Sequence, residues 1–338
     1  MAIADSLLIE RLAVAYISIG RIQAESWLSL SVVALRSRGS WRGSVFIVTD
    51  RPQCLGAMEH MHAHSVVVDL DGCQKLNAIK IFKTLLLDVL PMHGKRAVLY
   101  LDVDVIVCRP LTSLLDTPVR LFLEGRRNET LAAFAEHGSQ VAAHGGVLLM
   151  RVRESARCLE SWRRQIMLDV TYDQPALRRV VEARSCLLYR MPQQLFQLPT
   201  TSTIRSGHFS LFTHFTRNGR VSFQRGRNVS KAGLSVQDLN AAGRLLFNLS
   251  NESASRWWKK PRAIPAVCQG AGGRASELVY RLGWYTCARI GRPEGHGPSL
   301  PGFVLAFVVH GIQRSGACTF FPTLCDALGR AAKAKWTV

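Results

Sequence analysis

The stretch Val98-Leu-Tyr-Leu-Asp102-Val-Asp104-Val-Ile-Val-Cys-Arg109-Pro110-Leu111 sets two carboxylates between two apolar runs. Short, wholly apolar runs of this kind read as buried strands. A carboxylate interrupting such a segment is costly without a partner. On an extended backbone, residues i and i+2 point to one side, so Asp102 and Asp104 are expected to converge at the carboxyl end of the strand. Converging carboxylates repel unless a cation lies between them. A hard divalent ion, Mn²⁺ or Mg²⁺, sharing its oxygen ligands with a diphosphate, is the natural occupant. A bare Asp-x-Asp also closes ordinary strands into turns; here the flanking apolar runs favour the metal.

Outward from this stretch, the first half of the chain alternates strand and helix patterns. Residues 12–19, 44–50, 65–70 and 96–102 read as strands, and 22–37 and 75–90 as helices, the second stopped by Pro91. Apolar strands separated by helices imply an α/β fold with a mostly parallel sheet covered on both faces. Ligands bind such sheets outside the carboxyl ends of the strands. That places Tyr16, Ser18 and Gly20 after strand one, and Asp50 after strand two, among the candidates for nucleotide contact. Further on, a strand is expected at 119–124, then a polar loop, a strand at 144–151, and helices at 154–167 and 173–182. Beyond about residue 225 the periodicity fades. The expected division is a sheet domain over 1–225 and a basic, Gly- and Pro-containing extension over 226–338, in part disordered.

Composition narrows the function classes. The chain has 338 residues, with 43 Lys plus Arg against 24 Asp plus Glu, a net charge of +19. Such a balance points to an anionic partner, yet no nucleic-acid module is visible and aromatics are not interleaved with the basic residues. No nucleic acid is expected as partner. No apolar run approaches the roughly 18 residues needed to span a bilayer, and the amino terminus lacks the order of a signal peptide. Nine cysteines include no CxxC and no zinc-finger spacing, so they read as buried thiols or opportunistic pairs. Sequons at Asn128, Asn228, Asn248 and Asn251 lean towards a secretory or Golgi lumen. Neither a GxGxxG loop nor a GxxxxGK[ST] loop follows strand one, which argues against a dinucleotide oxidoreductase or a triphosphatase.

LYLDVDVIVCRPL resembles the Asp-x-Asp segment of the GT-A fold glycosyltransferases, in particular the nucleotide-diphospho-sugar transferases related to the glycogenin and lipopolysaccharide galactosyltransferase family. The resemblance runs over about residues 12–217. It implies a glycosyltransferase with a UDP- or GDP-sugar donor, Mn²⁺ or Mg²⁺, a carbohydrate or glycoprotein acceptor, and retention of anomeric configuration. Asp104 would ligate the metal, Asp102 would share it or hold the ribose, and His214 would complete the shell. Lys83, with Asn77 and Lys80 on the same side of its helix, resembles the family's basic residue against the donor. His144-Gly145-Gly146-Val147 resembles the Gly-rich turn beside the donor sugar, with His144 either an acceptor-side contact or incidental to it. Asp173-Gln174 is similar to the paired acid and amide near the reacting sugar, although Asp173 also suits an N-cap before Pro175. The relatives continue with Gly-x-Lys-Pro where this chain has Arg217-Asn-Gly-Arg220; Arg217 would substitute as phosphate binder. That departure leaves a catalytically degenerate nucleotide-binding relative as one alternative. A basic nucleic-acid- or glycan-binding protein and a nucleotidyltransferase are others, the last disfavoured by the absence of a basic Gly-rich loop after strand one.

Overall fold

The computed structural model describes residues 10–19, 27–55, 60–69, 77–135, 143–169, 173–215, 234, 236–254 and 280–281. The chain divides into two units, Met1–Gly291 and Arg292–Val338, and every described residue belongs to the first. Strand β1 (Leu12–Ser18) is followed by helix α1 (Trp27–Ser37), β2 (Val45–Thr49), β3 (Ala63–Asp69), α2 (Asn77–Val89) and β4 (Ala97–Leu101). Next come β5 (Val105–Val107), α3 (Val119–Leu123), β6 (Leu131–Ala135), β7 (Ala143–Arg151), α4 (Ala156–Asp169) and α5 (Asp173–Glu182). The described chain continues with β8 (Leu188–Arg190), β9 (Phe196–Gln197), α6 (Thr201–Ser206), β10 (Phe212–His214), α7 (Val236–Phe247), α8 (Asn251–Ala254) and β11 (Tyr280–Arg281).

The larger sheet has the order β11-β3-β2-β1-β4-β7-β6-β8. Its pairings are parallel except where β7 meets β4 and β6. The expected doubly covered, mostly parallel sheet is therefore the one observed. Alternate residues of each strand face opposite sides. Val14, Tyr16, Leu99 and Leu101 pack with Leu28, Val32 and Leu35 of α1. Ala13, Ala15, Val98 and Tyr100 pack with Phe82 and Leu86 of α2, Trp162 of α4 and Leu177 of α5. Both faces are dry, which is why β1, β2 and β4 carry almost no polar residues.

Two features of this topology position the site. Strand order turns between β1 and β4, the place where α/β sheets open a crevice beyond their carboxyl ends. Strand β7 runs the other way, pairing Leu101 with Val147. The first residues of β7, His144 to Gly146, are thereby delivered to the edge where β4 ends. A second, three-stranded sheet, β5-β10-β9, lies beside this edge. Antiparallel pairing of β10 with β5 sets His214 opposite Val105, one residue past Asp104.

The structure corrects three expectations. Residues 119–123 are helical, not extended: Val119, Phe122 and Leu123 are buried at helical spacing after Pro118. Residues 131–135, inside the expected polar loop, form β6; this alanine-rich strand is specified by partners on both sides. Asp102 and Asp104 do not continue a strand. They lie in a turn closed by Val105 N–H to Asp102 O, 3.0 Å, which swings β5 into the smaller sheet. Residues beyond 225 also contribute to this core. Leu239, Ala242 and Leu246 of α7 are buried with the α1-side cluster, and Arg38 donates to the carbonyl of Leu246, 2.8 Å.

Phe134 of β6 joins the two sheets, with ring centroids 4.9 Å from Phe196 and 5.9 Å from Phe212. Phe134→Ala should cost about 3–5 kcal/mol, read as a lower urea midpoint with an unchanged m-value.

Candidate metal and donor site

At the carboxyl edge of β4, one ligand atom from each of Asp102, Asp104 and His214 lies within 4.8 Å of the others. Asp104 and His214 are buried. His214 Nε2 is 3.0 Å from Asp104 Oδ1, and Phe215 N–H donates to the Asp104 carbonyl, 2.9 Å. Burial alone would lower the His214 imidazolium, but the Asp104 carboxylate more than offsets it and the net shift is upward.

Gly146 N–H donates to His144 Nδ1 at 3.1 Å. Burial pushes the His144 imidazole down to about 3, so the ring is neutral at physiological pH and carries its proton on Nε2. That nitrogen is 3.1 Å from His214 Nδ1. His144 is thus buried against a metal-site histidine, with its ring 4.7 Å from that of Phe196, rather than offered to an acceptor as the sequence reading expected. A Cβ on Gly146 would fall 2.8 Å from His144 Cε1, 3.0 Å from Asp102 Oδ2 and 3.2 Å from His214 Cε1. Glycine therefore leaves open the cradle among these groups. Two carboxylates, an imidazole and that space fit Mn²⁺ or Mg²⁺.

Lys83 adjoins the cluster from α2 and is only 5% exposed. Its ammonium donates to Asp173 Oδ2 at 2.7 Å and to the Gly145 carbonyl at 3.0 Å, and lies 3.2 Å from Asp102 Oδ1. Burial works against the charge, yet the two carboxylates outweigh it and hold the ammonium above its ordinary value. The Tyr100 hydroxyl donates to the same Asp102 oxygen, and burial, then the Asp102 charge, keeps that phenol protonated. Trp162 Nε1–H donates to the Asp173 carbonyl, 2.8 Å, fixing the start of α5. A Cβ on Gly145 would meet Asp173 Oδ2 at 3.2 Å and Gln174 Cγ at 3.3 Å, so the acid and amide flank Gly145, which lies in strand β7 and not in the expected turn.

The remaining sequence candidates are scattered. Tyr16 is fully buried in the core, with its hydroxyl 3.1 Å from that of Ser31, and does not line the crevice. Its alternate position on β1 turns it towards α1. Ser18 is buried at the end of β1. Asp50 ends β2 with Arg51 Nε 3.9 Å away. Lys80 is half-buried, its ammonium lowered by burial against the opposing pull of Asp173, and Asn77 opens α2. Gly20, Arg217 and Arg220 lie outside the described residues. Tyr100 and Trp162 were not foreseen: an apolar strand position and an amphipathic helix position gave no sign of their polar atoms' partners.

No family model and no curated protein matches the chain. Similar solved structures include the apo form of glycosyltransferase GlyE from Streptococcus pneumoniae TIGR4, 14% identical with a TM-score of 0.46, over 73% of this chain and 62% of that one. A further GlyE structure from the same source is 16% identical with a TM-score of 0.46, over 73% and 62%. An active-site mutant of LgtC is 13% identical with a TM-score of 0.47, over 72% of this chain and 99% of that one. This chain spans about three fifths of the GlyE length.

Gly146→Ala should weaken Mn²⁺ binding by about 10–100-fold while leaving the far-ultraviolet circular dichroism unchanged; calorimetric titration with Mn²⁺ reads the effect. Lys83→Met leaves Asp102 and Asp173 facing each other without a cation and should destabilise the fold by about 3–5 kcal/mol in denaturant unfolding at neutral pH.

Proposed function

We propose that the chain is a metal-dependent glycosyltransferase moving a sugar from a UDP- or GDP-sugar to a carbohydrate or glycoprotein acceptor, with retention at the anomeric carbon. The observation that carries this reading is the convergence of Asp102, Asp104 and His214 beside the buried Lys83–Asp173 pair, at the carboxyl edge of the sheet. This donor set suits a hard or borderline divalent ion that shares its coordination with phosphate oxygens. When bound, Mn²⁺ or Mg²⁺ would supply positive charge against the diphosphate leaving group.

The chain's own residues would bind and orient. Asp102, Asp104 and His214 would hold the ion; ligation through His214 Nε2 would leave that ring's proton on Nδ1, and His144 would then take the Nδ1–H tautomer so that its Nε2 accepts. Lys83 is a buried donor whose partners are already carboxylate and carbonyl. It would exchange one of them for a phosphate oxygen or a sugar hydroxyl without meeting bulk water. Asp173 and Gln174 would accept and donate hydrogen bonds to sugar hydroxyls near Gly145, whose missing side chain lets the acid and the amide approach the β7 backbone closely. Ser18, Gly20, Asp50 and Arg217 are the proposed nucleotide and phosphate contacts. Tyr16 is withdrawn from that set, because its side chain belongs to the core. Holding donor and acceptor in register and excluding water is where such a site gains most of its rate.

UDP- and GDP-sugars presented with Mn²⁺ should be turned over, by transfer or slow hydrolysis, and turnover should stop with EDTA. Asp104→Ala should lower it by at least about 100-fold while the protein stays folded. Activity that survives chelation or this substitution would sink the reading. Tight, Mn²⁺-dependent binding of UDP without turnover would point to the degenerate nucleotide-binding relative.

A further inference from the structure

At the opposite end of β6 and β7 from the metal site lies a cleft of about 580 Å³. Among the described residues, its lining includes Leu121, Arg126, Asn128, Cys186, Leu187 and Arg190. Leu121 and Leu187 are 36% and 46% exposed, so the cleft sets apolar carbon beside guanidinium groups in solvent. Arg126 is a largely exposed cation, 3.9 Å from Glu124. Arg190 belongs to β8, the outermost strand at this end of the sheet. Edge strands invite pairing with other chains.

We infer that Asn128 carries an N-linked glycan whose first sugars lie in this cleft. Asn128 is exposed in the loop between α3 and β6 and opens Asn128-Glu129-Thr130, the acceptor pattern for such a glycan. A sugar ring suits the lining: its C–H face packs on leucine carbons and its hydroxyls accept from guanidinium N–H groups. An oligosaccharide also covers an edge without being able to extend the sheet. Cys186, in the same cleft, is joined to Cys158 by a disulfide. Such bonds persist in oxidising compartments, which include the lumen where N-glycans are attached.

In the attachment step, Asn128 Nδ2 forms a bond to C1 of the reducing-end sugar of a lipid-linked oligosaccharide diphosphate. The C1–O bond to the diphosphate breaks, the lipid diphosphate leaves with the electron pair, and the amide gives up one proton. The glycan would not obstruct the metal site, since Gly146 and Arg151 stand roughly 17 Å apart along β7. The inference is independent of the proposed sugar transfer.

The test is to secrete the full chain from eukaryotic cells behind a cleavable signal. N-glycans are then removed enzymatically in heavy-oxygen water, which marks each occupied Asn as labelled Asp for peptide mapping. Asn128 should be marked, Asn128→Gln and Thr130→Ala should each lose the same glycan, and Thr130→Ser should keep it. Deglycosylation should raise hydrogen exchange across 186–190 several-fold. An unmarked Asn128, whether or not Asn228, Asn248 or Asn251 is marked, overturns the site. Unchanged exchange across 186–190 after removal overturns the cleft as its resting place.

Discussion

The ammonium of Lys83, almost shut off from water, is the contact on which the rest of this structure turns. It lies among Asp102 from the end of β4, Asp173 from the start of α5, and the Gly145 carbonyl of β7. An unpaired charge at such depth would cost several kcal/mol. The pairing therefore ties α2, β4, β7 and α5 to one arrangement. Desolvation opposes the charge and two carboxylates restore it; the balance favours the cation.

The surrounding scaffold exists to bring these groups to one edge. Parallel strands alone would place β7 with its amino end far from the crevice. Because β7 is antiparallel to β4, His144, Gly145 and Gly146 arrive beside Asp102, whose N–H donates to the Gly146 carbonyl at 2.8 Å. The turn at 102–104 sends β5 into the smaller sheet, and β10 pairs there to bring His214 back from 110 residues further along the chain. Phe134 and Phe196 stack between the sheets and hold the histidine's strand against the carboxylates.

Much of the fold was legible in the chain. The strands at 12–18, 45–49 and 97–101 are almost wholly apolar and buried along their length, because both of their faces are covered, whereas β3 carries His64 and Ser65 and is partly exposed. Helix α5 carries its own start signal, Asp173 before Pro175. Less visible were elements whose identity depends on distant partners. The alanines of β6 favour helix locally, and pairing with β7 and β8 overrides that preference. Val119–Leu123 holds β-branched and aromatic residues that look like a strand, while its burial follows helical spacing.

The sequence by itself determined that an apolar strand ends in two carboxylates, that a lysine, a glycine pair and an acid–amide pair recur at fold-compatible places, and that the sheet is mostly parallel. These are local patterns of period and polarity. Only the tertiary structure decided that Lys83 joins Asp102 to Asp173, that Gly146 leaves the space among Asp102, His144 and His214, and that His144 stands against His214 while Tyr16 is core. Those outcomes depend on strand direction and on which face of each element meets its neighbour, which are properties of packing between segments far apart in the chain.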